Sequence, residues 1–241
     1  LGGGLDIRLE KAIYELQETV EEQQARTRVD EINVAAFGFS RGATQARAFL
    51  NWLAEHSKIS RRGDSLTYDG IPLNVKFLGL FDTVESVGGA GTNRQPELVK
   101  TSVPPFVQKC LHIVAAHELR EAFPVTVLGT NRYAQVVYPG AHADIGGGYE
   151  DNDQGRSIML ARVAALQMLD HARGAGLKMR SPAEMAASPL WREQYAPSFD
   201  VPTAAHAALT GYLGHVRKKS GLMAEVFEAH MELYWAWIDA G

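Results

Sequence analysis

With 241 residues, 46% of them hydrophobic and 22% charged, the chain has the composition of one well-packed globular domain rather than of a fibrous or low-complexity protein. A formal net charge of −4 offers no concentrated basic face, which argues against a nucleic-acid partner. A single cysteine, Cys110, closes no intrachain disulfide, and no apolar run reaches the ~18 to 20 residues that a membrane-spanning helix needs.

The opening "LGGGLDIRLEK" has no Met and three glycines, and reads as a piece of something longer with no basic-then-apolar secretory signal. Apolar residues at Leu5, Leu9, Ile13, Leu16 and Val20 fall at spacings of three and four, which predicts an amphipathic helix from Leu5 to about Gln24. After a polar break, "INVAAFGF" is short and apolar and predicts a buried, parallel strand. "ATQARAFLNWLAEH" returns to good helix formers.

Residues 57–72, "SKISRRGDSLTYDGIP", are polar and glycine-containing and read as a loop. "NVKFLGLFD" is the second predicted strand, followed by the glycine-rich loop "SVGGAGTNRQP". Residues 106–122 are predicted helical, stopped by Pro124. "YAQVVYPG" predicts a third strand ending in a Pro-Gly turn, and "SIMLARVAALQMLDHARGAG" a helix closed by glycine. Strand and helix alternate, so a mainly parallel sheet with helices on both faces is expected, an α/β three-layer sandwich. From Ser181 onward only helices and Pro breaks are predicted. The expected organisation is a catalytic part over residues 1–180 and a helical cap or extension over residues 181–241, packed on the same domain.

Gly38-Phe39-Ser40-Arg41-Gly42 satisfies G-x-S-x-G between a predicted strand and a predicted helix, the context that gives the pattern meaning. There the serine sits on a tight turn, and small residues two positions to either side let strand and helix pass closely. The first amides of the helix, Arg41 foremost, point to where an oxyanion would form. A serine hydroxyl needs a base and an orienting carboxylate, in the chain order Ser, acid, His. Asp82 stands at the C-terminal end of the second strand, where α/β sheets carry their catalytic loops. Asp64, Asp69 and Glu85 are its rivals, and an N-cap or turn role is the alternative use of Asp82.

Eight histidines compete for the base. His56, His112, His117 and His171 fall in predicted helices, and His206, His215 and His230 in the strandless C-terminal part. His142 lies in "YPGAHADIGGGY", after the third strand and before three glycines, free of helical constraint. Asp144 is a rival orienter, but a carboxylate so close in sequence more often bonds local backbone. In "DNDQG", residues 151–155, the acidic alternation resembles the start of a calcium loop without its bidentate Glu, so a capping turn is expected and no metal or cofactor.

Together "FGFSRGATQAR", "FLGLFDTVESVG" and "YPGAHADIGGGY" resemble the catalytic domain of the type VI secretion lipase effectors, a bacterial phospholipase group. "GLDIRLEKAIYEL" and "AAHELREAF" also look like that family's, and the similarity runs from about Gly4 to Tyr149, more loosely to Gly174. The resemblance implies an α/β-hydrolase fold, a triad of Ser40, Asp82 and His142, and phospholipase A activity on bacterial phospholipids. It also implies synthesis in the bacterial cytoplasm, delivery into a neighbour's periplasm, a spike-tip carrier and an immunity protein. The family's upstream strand and Asp-Gly-Thr turn have no counterpart here, which leaves the second oxyanion donor unassigned. Gly2 to Gly4 read as the start of a helix rather than as an oxyanion loop. Trp191, Tyr212, Tyr234, Trp235 and Trp237 are either core or a lipid-contacting surface. An esterase or thioesterase of the same fold, or a catalytically silent binding module, are the rival readings.

Overall fold

The computed structural model describes residues 3–85 and 100–240. The glycine-rich loop expected after the second strand lies outside the described residues. The chain divides into two units, Leu1–Cys110 with Pro124–Tyr133, and Leu111–Phe123 with Ala134–Gly241.

The first unit opens with helix α1 (Gly3–Arg26), which buries Leu9, Ile13 and Val20, so the three-and-four spacing does mark its packed face. Strand β1 (Ile32–Phe39) leads directly into helix α2 (Arg41–Glu55). Helix α2 buries Ala43, Ala46, Ala48, Leu50 and Leu53, and its small residues allow a close approach to the strands. Strand β1 is less buried than its composition suggests: Asn33 is exposed and Phe37 is 43% exposed. Its ladder partner is β4 (Ile71–Phe81), so among the described residues one long edge of β1 is uncovered by a further strand.

Residues 57–72 are not a loop. They form β2 (Ile59–Arg62) and β3 (Ser65–Tyr68), antiparallel to each other, with β3 antiparallel to the start of β4. The signal lay in two dipeptides. Asp69-Gly70 has φ of 46° and 85°, both left-handed as a type I′ turn demands, and Gly63-Asp64 turns between β2 and β3. Buried Leu66 and Tyr68 alternate with Ser65 and Thr67, the period of a half-buried strand.

Strand β4 pairs in parallel with β1 from Ile32 opposite Leu73 to Phe39 opposite Phe81. Between Val34 and Ala35 the register shifts, leaving Lys76 as an extra residue on β4. In the strand order β5 (Val107–Ala115) follows β4, and its first residues belong to this unit. Residues 107–115, predicted helical, are thus a strand. Val107, Cys110, Leu111 and Val114 do fall at helical spacing, but six consecutive residues from Cys110 to Ala115 are buried, as in a strand covered on both faces. Length and β-branching, not period, separate the two cases.

The second unit holds the rest of β5, paired in parallel with β6 (Ala134–Tyr138) from Leu111 opposite Ala134 to Ala115 opposite Tyr138. Helix α3 (His142–Gly146) follows β6, and α4 (Met159–Gly174) ends near Gly176, whose φ of 89° suits a glycine. Short helices α5 (Pro182–Ala187) and α6 (Pro189–Gln194) precede the longer α7 (Thr203–His215) and α8 (Met223–Asp239). As expected, residues 181–240 contain no strand. Helix α7 packs on α4. Mixed strands with interleaved helices bear out the α/β class. No described helix is long and apolar enough to cross a membrane.

Candidate active site

Ser40 stands alone between the last residue of β1 and the first of α2, with φ 58° and ψ −126°. For a residue with a side chain this is a strained conformation, costing on the order of 1–3 kcal/mol and persisting only where the surroundings enforce it. Here they do. The Ser40 amide donates to Phe81 O at 3.0 Å, and its carbonyl accepts from Val84 N at 3.3 Å, Ala43 N at 3.0 Å and Thr44 N at 3.4 Å. The Thr44 hydroxyl donates to Val84 O at 2.8 Å, which ties the first turn of α2 to the segment after β4. The Ser40 side chain makes no capping bond to α2, so its hydroxyl is not spent on the helix end.

Gly38 is a steric requirement. A Cβ there would lie 2.2 Å from Gly42 O and 2.5 Å from Ala43 N, both backbone atoms. Gly42 differs from the expectation: a Cβ on it would meet nothing within 4 Å, so its role is to offer its backbone to Gly38, not to lack a side chain.

Asp82 is the residue after Phe81 just as Ser40 is the residue after Phe39, and those two phenylalanines are ladder partners. Serine and acid therefore stand side by side at the C-terminal ends of paired parallel strands. Asp82 is 1% exposed and left-handed, φ 40°, a second strained residue next to the first. The residues after it are extended: Val84 bridges Val125, and Thr126 N donates to Thr83 O at 2.8 Å. Asp82 caps no helix there.

The rival acids are otherwise placed. Asp64 and Asp69 lie in the two hairpin turns. Glu85 is ion-paired with Arg47 at 3.3 Å, the side chains 8% and 5% exposed. Arg47 also donates through Nε to Thr101 O and through a terminal nitrogen to Thr126 O at 3.5 Å. Burial pushes its pKa down and the facing Glu85 opposes that. This buried pair beneath α2 is unexpected from the sequence; an Arg amid alanines on an otherwise apolar helix face is its signal. Cys110 is buried, which pushes its thiol up to about 12 and leaves little thiolate at neutral pH.

His142 belongs to the second unit. It begins α3 rather than lying in a free loop, a difference from the expectation, and is 5% exposed. Its amide donates to Glu118 Oε2 at 3.2 Å and its ring lies 5.0 Å from that of Phe123. Arg120 holds Glu118 through two bonds of 2.7 and 2.6 Å and stacks over Phe123 at 4.2 Å. Asp144 accepts from Ala141 N at 2.7 Å, the local backbone role expected of it. Asp151 accepts from Ile158 N at 3.5 Å, a turn at the start of α4.

Among the other histidines, His171 and His215 are exposed and His112 is fully buried. His56 ends α2 and meets Gln17 at 3.1 Å. His112 lies within β5 and His117 just beyond it, both outside the helix predicted for them. His117 and His230 contact Tyr212.

Burial pushes the Glu118 carboxyl up, but the Arg120 guanidinium, the Arg120 amide and the His142 amide outweigh it and hold the group near 2, below its ordinary 4.5. Because the folded value is depressed, its stabilisation is complete above pH 4.5 and is lost as pH falls toward 2. Unfolding of Glu118→Gln compared with the natural chain is expected to show the full stability difference at pH 7. That difference should shrink below pH 4.5 and vanish near pH 2, as followed by urea titration at each pH.

Residues 64–171 match the family described as T6SS, phospholipase effector Tle1-like, catalytic domain. Over 95% of its length the chain is similar to the crystal structure of an uncharacterized protein from Pseudomonas aeruginosa, with 28% identity and a TM-score of 0.69. It is similar in fold, at 19% identity over 95% of its length and a TM-score of 0.60, to the Tle1 effector solved bound to the VgrG spike of the type 6 secretion system. The chain spans 35% of the first of these proteins and 63% of the second. Comparison with curated proteins finds no match. The resemblance to type VI phospholipase effectors read from the three motifs is borne out.

Proposed function

We propose, with the Tle1-like catalytic match over residues 64–171 as premise, that the chain hydrolyses carboxylic esters of glycerophospholipids through Ser40, His142 and Asp82. The Ser40 Oγ bonds the ester carbonyl carbon as its proton passes to the His142 imidazole. Asp82 fixes the imidazole tautomer and stabilises the cation that forms. The Arg41 amide, at the first turn of α2, donates to the oxyanion. Collapse of the tetrahedral species breaks the ester C–O bond, and the lysophospholipid alkoxide leaves with the proton from His142. Water then attacks the acyl-Ser40, giving its proton to His142, and the freed serine takes that proton back as the fatty acid departs. No metal or cofactor enters this chemistry.

The observation that carries the reading is the strained backbone of Ser40, φ 58° and ψ −126°, at a strand-to-helix elbow directly beside the buried Asp82. By resemblance, the proposed setting is a bacterial effector carried on a spike protein into a target cell's periplasm and met by an immunity protein.

A fluorophosphonate probe is expected to add once to the natural chain, with the adduct mapping to Ser40 by mass, and to leave Ser40→Ala unmodified. An adduct elsewhere, or equal labelling of Ser40→Ala, would exclude this site. Phosphatidylethanolamine vesicles should release fatty acid and lysolipid; turnover of short acyl esters alone would replace phospholipase with esterase.

A further inference from the structure

Three backbone groups of the turn that carries His142 are held by two adjacent residues after β5. The Gly140 amide donates to His117 Nδ1 at 3.1 Å, the His117 amide donates to Gly140 O at 3.0 Å, and the His142 amide donates to Glu118 Oε2. Gly140 itself has φ 101°, a conformation few other residues adopt. The turn therefore rests on the His117 ring on one side and the Glu118 carboxylate on the other.

The ring is in turn fixed from far along the chain. Its Nε2 lies 3.3 Å from the Tyr212 hydroxyl on α7, and the same hydroxyl lies 2.9 Å from Nδ1 of His230 on α8. Tyr234 covers the His117 ring at 5.0 Å, and His230 is 1% exposed. The direction of the bonds follows from the first one. Because Gly140 N–H points at Nδ1, that nitrogen must offer a lone pair, so the neutral ring carries its proton on Nε2. Nε2–H then donates to the Tyr212 oxygen, which leaves the tyrosine proton to donate to His230 Nδ1. The bond from the Gly140 amide exists only while the His117 imidazole is neutral. Burial lowers the pKa of His117, with its hydrogen bond to the His230 backbone and the charge of Asp144 opposing, and burial lowers that of His230 to about 4, the neighbouring His117 adding to the effect.

We propose that His117, braced on α7 and α8 by Tyr212 and His230, is a positioning residue that sets the orientation of the His142 turn. This assigns work to the helices after residue 181: they fix the base from behind rather than touch substrate. It rests on the reading of His142 as the base given above.

Asparagine and glutamine separate the two ends of the imidazole. Asn at position 117 places an acceptor where Nδ1 is, and Gln reaches only toward Nε2. With a p-nitrophenyl acyl ester as substrate, His117→Asn is expected to lower kcat about fivefold to tenfold, the loss of the Nε2 bond alone, and His117→Gln, which also gives up the Nδ1 acceptor, about a hundredfold, with KM unchanged in both. Tyr212→Phe should lower kcat about fivefold to tenfold at unchanged KM and serves if His117→Gln does not fold. Fluorophosphonate labelling of Ser40, which needs the base, should slow in parallel with kcat. Unchanged kcat in His117→Gln, or in Tyr212→Phe, would overturn the proposal, as would equal losses in the Asn and Gln variants. A natural chain that does not label at Ser40 sinks the triad itself; one that labels, with His117 and Tyr212 variants labelling at the same rate, sinks only the bracing.

Discussion

Ser40→Ala is expected to abolish ester hydrolysis, by on the order of 10⁴- to 10⁶-fold in kcat, while leaving the far-ultraviolet spectrum and the unfolding transition intact. The fold does not need the hydroxyl: it makes no bond to the end of α2, and the bonds that hold the turn are to the backbone amide and carbonyl of residue 40. The backbone strain gives a second, independent readout. A glycine tolerates φ 58° and ψ −126° where alanine does not. Ser40→Gly should therefore be as inactive as Ser40→Ala yet more stable than it by about 1 kcal/mol in urea titration. Equal stability of the two variants would show that the elbow stores no strain.

Gly38→Ala is the substitution expected to damage the fold most. The new methyl would sit 2.2 Å from Gly42 O, an atom of the first helical turn whose neighbours Ser40, Ala43 and Thr44 are bonded to β4, to the segment after it and to one another. Nothing flexible can give way. The cost should be about 3 kcal/mol or more, a large share of the ~5–15 kcal/mol that holds a domain together, so the variant is expected to be largely insoluble or to unfold at much lower urea. Gly42→Ala is the contrasting control. Its Cβ enters open space, and alanine is the better helix former by about 1 kcal/mol, so it should be neutral or slightly stabilising. Comparable losses in both would refute the steric account.

The parts of this fold legible in the sequence were those whose signal is local. Strands β1, β4 and β6 are short apolar runs closed by turn residues, and α1, α2 and α4 keep a periodic face. The hairpin of β2 and β3 was hidden because its strands are only four residues each and mostly polar, so its own Gly63-Asp64 turn and the Asp69-Gly70 turn into β4 were its signs. Strand β5 was misread because a segment buried on both faces shows no alternation, and its apolar residues fell at helical intervals by coincidence. The places of Ser40 and Asp82 in the fold were legible because each directly follows a strand, and that position is written in the order of residues. The supports of the His142 turn were not. Glu118 and His117 are adjacent in a stretch that read as helix, and Tyr212 and His230 lie 95 and 113 positions beyond His117, a pairing that only the folded chain discloses.

The extra residue on β4 has a bearing on the proposed chemistry. Before Lys76 the ladder sets each residue of β1 opposite the one 41 positions on, as Val34 with Val75, and after it 42 positions on, as Phe39 with Phe81. Had the opening phase continued, Phe81 would stand level with Ser40, and the carboxylate one step further would emerge on the opposite side of the sheet, since side chains alternate. A single extra lysine, six positions upstream of Asp82, thus decides the parity by which Asp82 and not Phe81 stands level with Ser40, the serine proposed above as the nucleophile.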